Sequence, residues 1–261
     1  MSVFELRSVY AGYGPLAVLR GLDLAVGDGD FISIIGPNGA GKSTLIRVIS
    51  GEMAPERGEA LFDGRPVGEY RRRDMARRFS IVHQAIEGSA AFTVREFIAM
   101  GRFPHQGALA VESDTDRERV EWAAETAGVG HLARRQINEL SGGELQLVRI
   151  AHALAQNSRV LVLDEPVTHL DVRHAVMVMD LLWKLHREGA TVLTVLHDVN
   201  MASDYSDRIV GIKEGSVFFI GHPGDVLSYE SVEALFGTSC IVMKNPTTGR
   251  PFVYPVPGYV K

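Results

Sequence analysis

One cysteine, Cys240, stands in 261 residues, so no intrachain disulfide can close, and no CxxC pair or His/Cys cluster marks a structural metal. A reducing compartment is the expected setting, with Cys240 a small buried hydrophobe. No run approaches the ~20 apolar residues of a membrane span. The opening stretch MSVFELRSVYAGYG has neither a basic n-region nor an apolar h-region, and a removable leader is not expected. Positive charge is not in excess: 27 Lys and Arg face 32 Asp and Glu, a formal net charge of −5. A general nucleic-acid binder has the opposite balance, and no nucleic-acid partner is expected. The one basic run, YRRRDMARR from Tyr70 to Arg78, is diluted by Asp74 and Glu69 and reads as a solvated helix face. Internal repeats and low-complexity tracts are missing too.

What is present is an ordinary globular composition, 46% hydrophobic and 23% charged, at a length that allows one large domain or a domain with a subdomain. Short runs apolar on consecutive positions, FISII (Phe31 to Ile35), FSIVH (Phe79 to His83), RVLVLDE (Arg159 to Glu165), ATVLTVLH (Ala190 to His197) and RIVGI (Arg208 to Ile212), alternate with helical patterns. Runs of this kind are strands covered on both faces, which predicts an α/β fold with a mostly parallel sheet between helices. From Thr93 to Ala155 the spacing turns helical, with no convincing strand. The expected division is a core over residues 1–87 and 156–235, an inserted helical subdomain over 88–155 and a C-terminal extension over 236–261. In that extension two short β-like runs flank the turn-rich NPTTGR, which predicts a hairpin.

GPNGAGKST, comprising Gly36, Pro37, Asn38, Gly39, Ala40, Gly41, Lys42, Ser43 and Thr44, fits G-x-x-x-x-G-K-[ST] between a predicted strand and a predicted helix that Gly51 would stop. Glycines let successive N–H groups wrap a phosphate chain, Lys42 supplies a positive charge to the outer phosphates, and the Ser43 hydroxyl can ligate Mg²⁺. At the end of the strand VLVLDEP, Asp164 is expected to hold that Mg²⁺ and Glu165 to act as the general base on a water attacking the γ-phosphate. Together these residues suit a nucleoside triphosphate and Mg²⁺. A second glycine pair, in NELSGGELQLVRIAHALAQ, follows a serine at the start of an amphipathic pattern and has no lysine.

With LSGGE (Leu140 to Glu144) lying between the phosphate loop and the LVLDE strand, the chain resembles the ATP-binding subunits of ABC transporters over essentially its whole length, a P-loop NTPase fold. The resemblance implies that the loop of Ser141, Gly142, Gly143 and Glu144 binds the γ-phosphate held by an opposite subunit, so that a homodimer sandwiches two ATP. It further implies that Gln84 senses Mg²⁺ and the attacking water, that His197 contacts the γ-phosphate, that Asp171 in THLD faces its two-fold mate, and that Tyr13 stacks on adenine. The family often has Gln-Gln-Arg where Leu145, Gln146 and Leu147 stand, and a small polar residue where Val167 stands; neither change touches phosphate, metal or water.

FTVREFIAMGRFPHQG, with its GR-x-P turn, and the closing segment from Phe236 resemble one branch, the ATPases of importers for iron-siderophores, haem and cobalamin. That implies a membrane permease dimer as partner, a substrate-binding protein as indirect partner, and a peripheral position at the cytoplasmic face of the inner membrane. Arg102 and His105 are expected as exposed positions of the permease groove. The alternatives are an ABC ATPase for another solute, in import or export, and a soluble ABC ATPase working on ribosomes or DNA. The last commonly carries two cassettes or a long coiled coil, and a P-loop kinase has no use for LSGGE.

Overall fold

Along LDLAV the side chains of Leu22, Leu24 and Val26 are buried while Asp23 and Ala25 are exposed, the period of a strand with one covered face. This segment belongs to the first of two compact units in the computed structural model, which describes residues 2–83, 92–107 and 112–258. One unit takes the chain up to Glu69 and again from Thr191 onward; the other is Tyr70–Ala190. In the first, β1 (Ser2–Tyr13) pairs antiparallel with β2 (Leu16–Gly27). The fully buried β3 (Phe31–Ile35) leads through the glycine loop into α1 (Lys42–Ile49), and Gly51, at φ 74°, follows the cap residue Ser50 as a helix stop. Strands β4 (Arg57–Phe62) and β5 (Arg65–Pro66) extend the antiparallel sheet in the order β2-β1-β4-β5.

The second unit holds the short α2 (Arg72–Ala76), β6 (Phe79–Val82), α3 (Val94–Met100), α4 (Asp114–Thr126), α5 (Gly142–Ala155), β7 (Val160–Asp164) and α6 (Val172–Arg187). Strands β6 and β7 are parallel, with Phe79 opposite Val160 and Val82 opposite Leu163. Each of α3, α4 and α5 opens on a capping box, Thr93 with Glu96, Ser113 with Asp116, and Ser141 with Glu144, in which hydroxyl and carboxylate satisfy the first-turn N–H groups reciprocally. No strand lies among the described residues from Phe92 to Ala155. The run around α2 is a solvated helix face with only Met75 buried among Arg72 to Ala76, although Arg73 and Arg77 both donate to the Pro104 carbonyl.

Back in the first unit come β8 (Thr191–Val195), α7 (Val199–Tyr205), β9 (Arg208–Lys213), β10 (Ser216–Gly221), α8 (Pro223–Val226), α9 (Tyr229–Phe236) and the antiparallel hairpin of β11 (Cys240–Lys244) with β12 (Pro251–Pro255). Strand β3 is parallel to both β8 and β9, and β10 runs antiparallel on β9. Side chains of consecutively apolar strands are buried on both faces, which is why those segments read as unbroken hydrophobic runs. The hairpin lies on α7: the Asn200 amide donates to the Val253 carbonyl at 3.1 Å and accepts from its N–H at 2.7 Å, and Ser203 donates to the Pro251 carbonyl. Cys240, the first residue of β11, is buried.

Candidate nucleotide site

In the first unit the parallel register of β3 and β8 brings two chain segments out at one sheet edge. Ile34 stands opposite Val195, and the Leu196 N–H donates to the Ile34 carbonyl, so the loop beginning at Gly36 and the exposed His197 emerge side by side. A Cβ at Gly36 would meet the Ile212 carbonyl oxygen at 2.2 Å, so only glycine lets the loop leave the sheet there. Gly41 caps α1 with a φ of 105°, and no side chain caps the helix. First-turn N–H groups of α1 are thus available to an anion, with the helix dipole behind them.

Lys42 is only 6% exposed, and a buried ammonium is costly without partners. Its Nζ donates to the carbonyls of Gly36 at 2.8 Å and Pro37 at 3.0 Å, curling back over the loop. Asn38, Gly39 and Ser43 are exposed, while Ala40 and Thr44 are buried supports. Tyr13, 44% exposed, is held against α1 by Arg47, which donates to its hydroxyl at 2.9 Å with the guanidinium 5.7 Å from the ring centroid. The Tyr10 ring instead covers Gly21, whose Cβ would meet the tyrosine hydroxyl at 2.9 Å. Arg47 is a residue that the sequence reading missed; its signal is a basic side chain one helical turn beyond the phosphate-loop serine.

In the second unit Asp164 and Glu165 leave the end of β7, both half-buried. Glu165 has a φ of 54°, a left-handed conformation that costs a non-glycine residue about 1 kcal/mol and gathers at functional sites. Its carboxylate accepts from the Thr168 hydroxyl at 3.2 Å. At the head of α5 the Ser141 hydroxyl donates to Glu144 Oε2 at 2.8 Å, the Ser141 N–H donates to the same oxygen at 2.8 Å, and the Glu144 N–H donates back to the serine oxygen at 3.3 Å. These bonds, that from the backbone first, and the cation of Arg135 hold the Glu144 carboxyl below the usual carboxylate range. Gly142 is exposed and Gly143 buried. Of the two departures from Gln-Gln-Arg, Leu147 is buried in the core and Leu145 is half-buried, while Gln146, which keeps the family's residue, is buried and accepts from Arg149. Asp171 caps α6, and both its oxygens bond His174.

Gln84 lies outside the described residues. The expectation that Arg102 is exposed is overturned: it is 6% exposed, its Nε donates to Asp116 at 2.8 Å and its Nη1 to the Ala155 carbonyl at 2.8 Å. A guanidinium of that length reaches inward because the α4 carboxylate and the end of α5 supply its partners. His105 is half-buried and bonded through Nε2 to the Gln156 carbonyl. Gly101 is required by packing, since its Cβ would meet the His152 carbonyl at 2.3 Å. What the turn after α3 exposes instead is Phe103, at 63%, beside an open groove of about 320 Å³ lined also by Phe92, Arg95, Met100 and Glu112.

A strand, a lysine loop wrapped on a helix N-terminus, and a separate strand ending in Asp-Glu define a P-loop ATPase, and the capped SGGE loop narrows the class to ATP-binding cassettes. The ABC transporter family model matches residues 19–168, and the chain belongs to that family as an ATP-binding subunit. It is 38% identical to the ferric enterobactin transport ATP-binding protein FepC of Escherichia coli (strain K12), over 98% of this chain and 95% of that one. It is 35% identical to the iron(3+)-hydroxamate import ATP-binding protein FhuC of Bacillus subtilis (strain 168), over 96% and 94%. Among solved structures, the dimeric bacterial ABC transporter cassette MJ0796 superposes with a TM-score of 0.74 at 30% identity, over 84% of this chain and 98% of that one. No helix among the described residues is long and apolar enough to cross a membrane.

Proposed function

We propose that this subunit hydrolyses ATP between two copies of itself to power import of an iron-siderophore, haem or similar metal chelate through a separate permease. The loop from Gly36 to Thr44 wraps the phosphates, Lys42 leaves its own carbonyls for the outer phosphates, and Tyr13 stacks on adenine. Glu165 takes the proton of the attacking water, His197 contacts the γ-phosphate, and Gln84 orients water and metal. Ser141, Gly142, Gly143 and Glu144 serve the nucleotide held by the other copy, with Asp171 beside the two-fold axis. Each composite site then has one lysine loop and one lysine-free loop.

Mg²⁺ suits the donors present. Ser43 offers an exposed hydroxyl at the first turn of α1 and Asp164 a carboxylate at a strand end, and among the described residues no three His, Cys, Asp or Glu form a protein cage. Mg²⁺ is usually held by one or two protein oxygens together with phosphates and waters. When bound it would neutralise phosphate charge.

The chelate reading rests on relatives named for ferric enterobactin transport, iron(3+)-hydroxamate import and hemin import, each covering more than nine-tenths of this chain. A permease helix docks in the groove beside Phe103, which places the subunit peripherally at the cytoplasmic face of the membrane. The α/β core, the helical insert and the hairpin extension divide at about residues 88, 156 and 236 in this reading.

The observation that carries the ATPase reading is the nearly buried Lys42 ammonium on the loop's own carbonyls, a positive charge already in place where a phosphate would sit. Its test is a pair of substitutions. Glu165→Gln should still bind ATP while hydrolysis falls roughly 10²- to 10⁴-fold, the usual worth of a general base; Lys42→Ala should lose binding as well. Near wild-type turnover by Glu165→Gln would remove Glu165 from the base role.

A further inference from the structure

The loop that ends in Asp171 and the loop that begins at Ser141 meet at one side chain. His174, in the first turn of α6, donates its backbone N–H to Asp171 Oδ1 at 2.9 Å, and its Nδ1 lies 2.8 Å from Asp171 Oδ2. A carboxylate has no proton to give, so Nδ1 carries the hydrogen. The same ring covers Gly143: a Cβ there would meet His174 Cγ at 2.2 Å and Cδ2 at 2.3 Å. Gly142 stands against Leu170 with its Cβ position 4.0 Å from Cδ2. The Asp171 carboxyl is held below its usual range by these bonds, that from the His174 N–H first. A ring in contact with both loops leaves each little freedom to move alone.

We propose that His174 is a positioning residue which joins the Asp171 loop to the Ser141 loop, so that both reach an opposing nucleotide as one rigid piece. It rests on the reading that the Ser141 loop works in trans. In that arrangement Gly143 is glycine for two reasons: its N–H must face a phosphate, and its α-carbon must admit the imidazole. His174 itself touches no nucleotide, so its removal should weaken assembly of the composite site without weakening ATP binding by a single subunit.

The experiment measures two quantities in full-length subunits: nucleotide affinity under dilute, monomeric conditions, and ATP-driven dimerisation of chains carrying Glu165→Gln. His174→Ala should leave the first within about twofold and weaken the second about tenfold, the range of coupled neighbouring residues. His174→Asn, which keeps an N–H donor near the Nδ1 position, should recover part of the loss. Gly143→Ala should cost less dimerisation in a His174→Ala chain than in the chain with the ring present, because the steric conflict is gone. Melting temperatures of all variants separate these effects from unfolding. Dimerisation by His174→Ala at the level of the parent, or full additivity of the Gly143 and His174 changes, would overturn the proposal. A Glu165→Gln chain that stays monomeric with ATP bound would overturn the trans reading first, and the proposal with it.

Discussion

At the scale of single side chains, the buried His152 couples stability to pH. It is buried on α5 with its ring centroid 5.0 Å from that of Phe97, and burial pushes its pKa from 6.5 down to about 4. In the unfolded chain the imidazole accepts a proton near its ordinary value, so below that pH the unfolded state binds more protons than the folded one. Stability is therefore expected to fall as the pH drops from about 6.5 and to stop responding to this group below about 4, with a limiting slope of about 1.4 kcal/mol per pH unit. His152→Gln should flatten that part of the stability curve, read by urea unfolding at stepped pH. An unchanged curve would mean that His152 is accessible to protons in the folded state. Asp116 titrates in a lower window: burial alone would raise its pKa, but hydrogen bonds from Arg102, Ser113 and Gln106 outweigh this and bring it to about 2. Its contribution is complete above pH 3.8 and is lost only as the pH falls toward about 2.

Between elements, the C-terminal hairpin is a brace on α7. Asn200 copies a strand neighbour, giving and taking one hydrogen bond with Val253, while Thr248 bonds Asp204 and Arg250 donates to the Ser203 carbonyl. The helix is capped by Asp198, immediately after His197. Replacing Asn200 by Ala strands the Val253 N–H and carbonyl, and a part-buried unsatisfied group costs about 1–3 kcal/mol. Asn200→Ala should accordingly lower the melting temperature and speed amide exchange at Val253 before it speeds exchange in β3. If exchange at Val253 is unaffected, the hairpin is held by its apolar underside, Cys240 and Val253, and the amide is redundant.

For the whole molecule, two predictions test the proposed assembly, one on the pairing of two copies and one on docking to a permease. If the Ser141 loop serves the nucleotide of the other copy, as proposed, mixing a Lys42→Ala chain with a Ser141→Arg chain places both lesions in one composite site of the heterodimer and leaves the other intact. The mixture should then exceed either parent in ATPase activity; no recovery at any ratio would count against a shared site in which one intact half can turn over. The second concerns docking. Phe103 is the more exposed of the two phenylalanines that line the groove beside α3, and central anchors of an interface typically contribute more than ~1 kcal/mol. Phe103→Glu should leave the free subunit's ATPase near that of the parent while reducing solute uptake and permease co-purification. Normal assembly and transport would move the docking surface elsewhere. Arg102→Glu cannot serve here, since it places two carboxylates at a buried pair and would report stability.

Local order and local chemistry were legible in the sequence: the five consecutively apolar strands, the lysine loop and its helix, the helical stretch after Thr93, the SGGE cap and the closing hairpin. Each depends on residues within a few positions of one another, where periodicity and turn chemistry act directly. The antiparallel sheet of β1, β2, β4 and β5 was not read from the sequence: β2 alternates over Leu22 to Val26, but in β1 bulges break the pattern, with Ser8 at a φ of 47° and the register slipping after Leu6 and again after Val9. Tertiary structure alone decided the burial of Arg102, since a guanidinium reads as exposed until the fold brings Asp116 and the Ala155 carbonyl to it. It alone placed His174 over Gly143. Local sequence cannot announce a contact whose two members are distant in the chain and whose free energy comes from the packing that joins them.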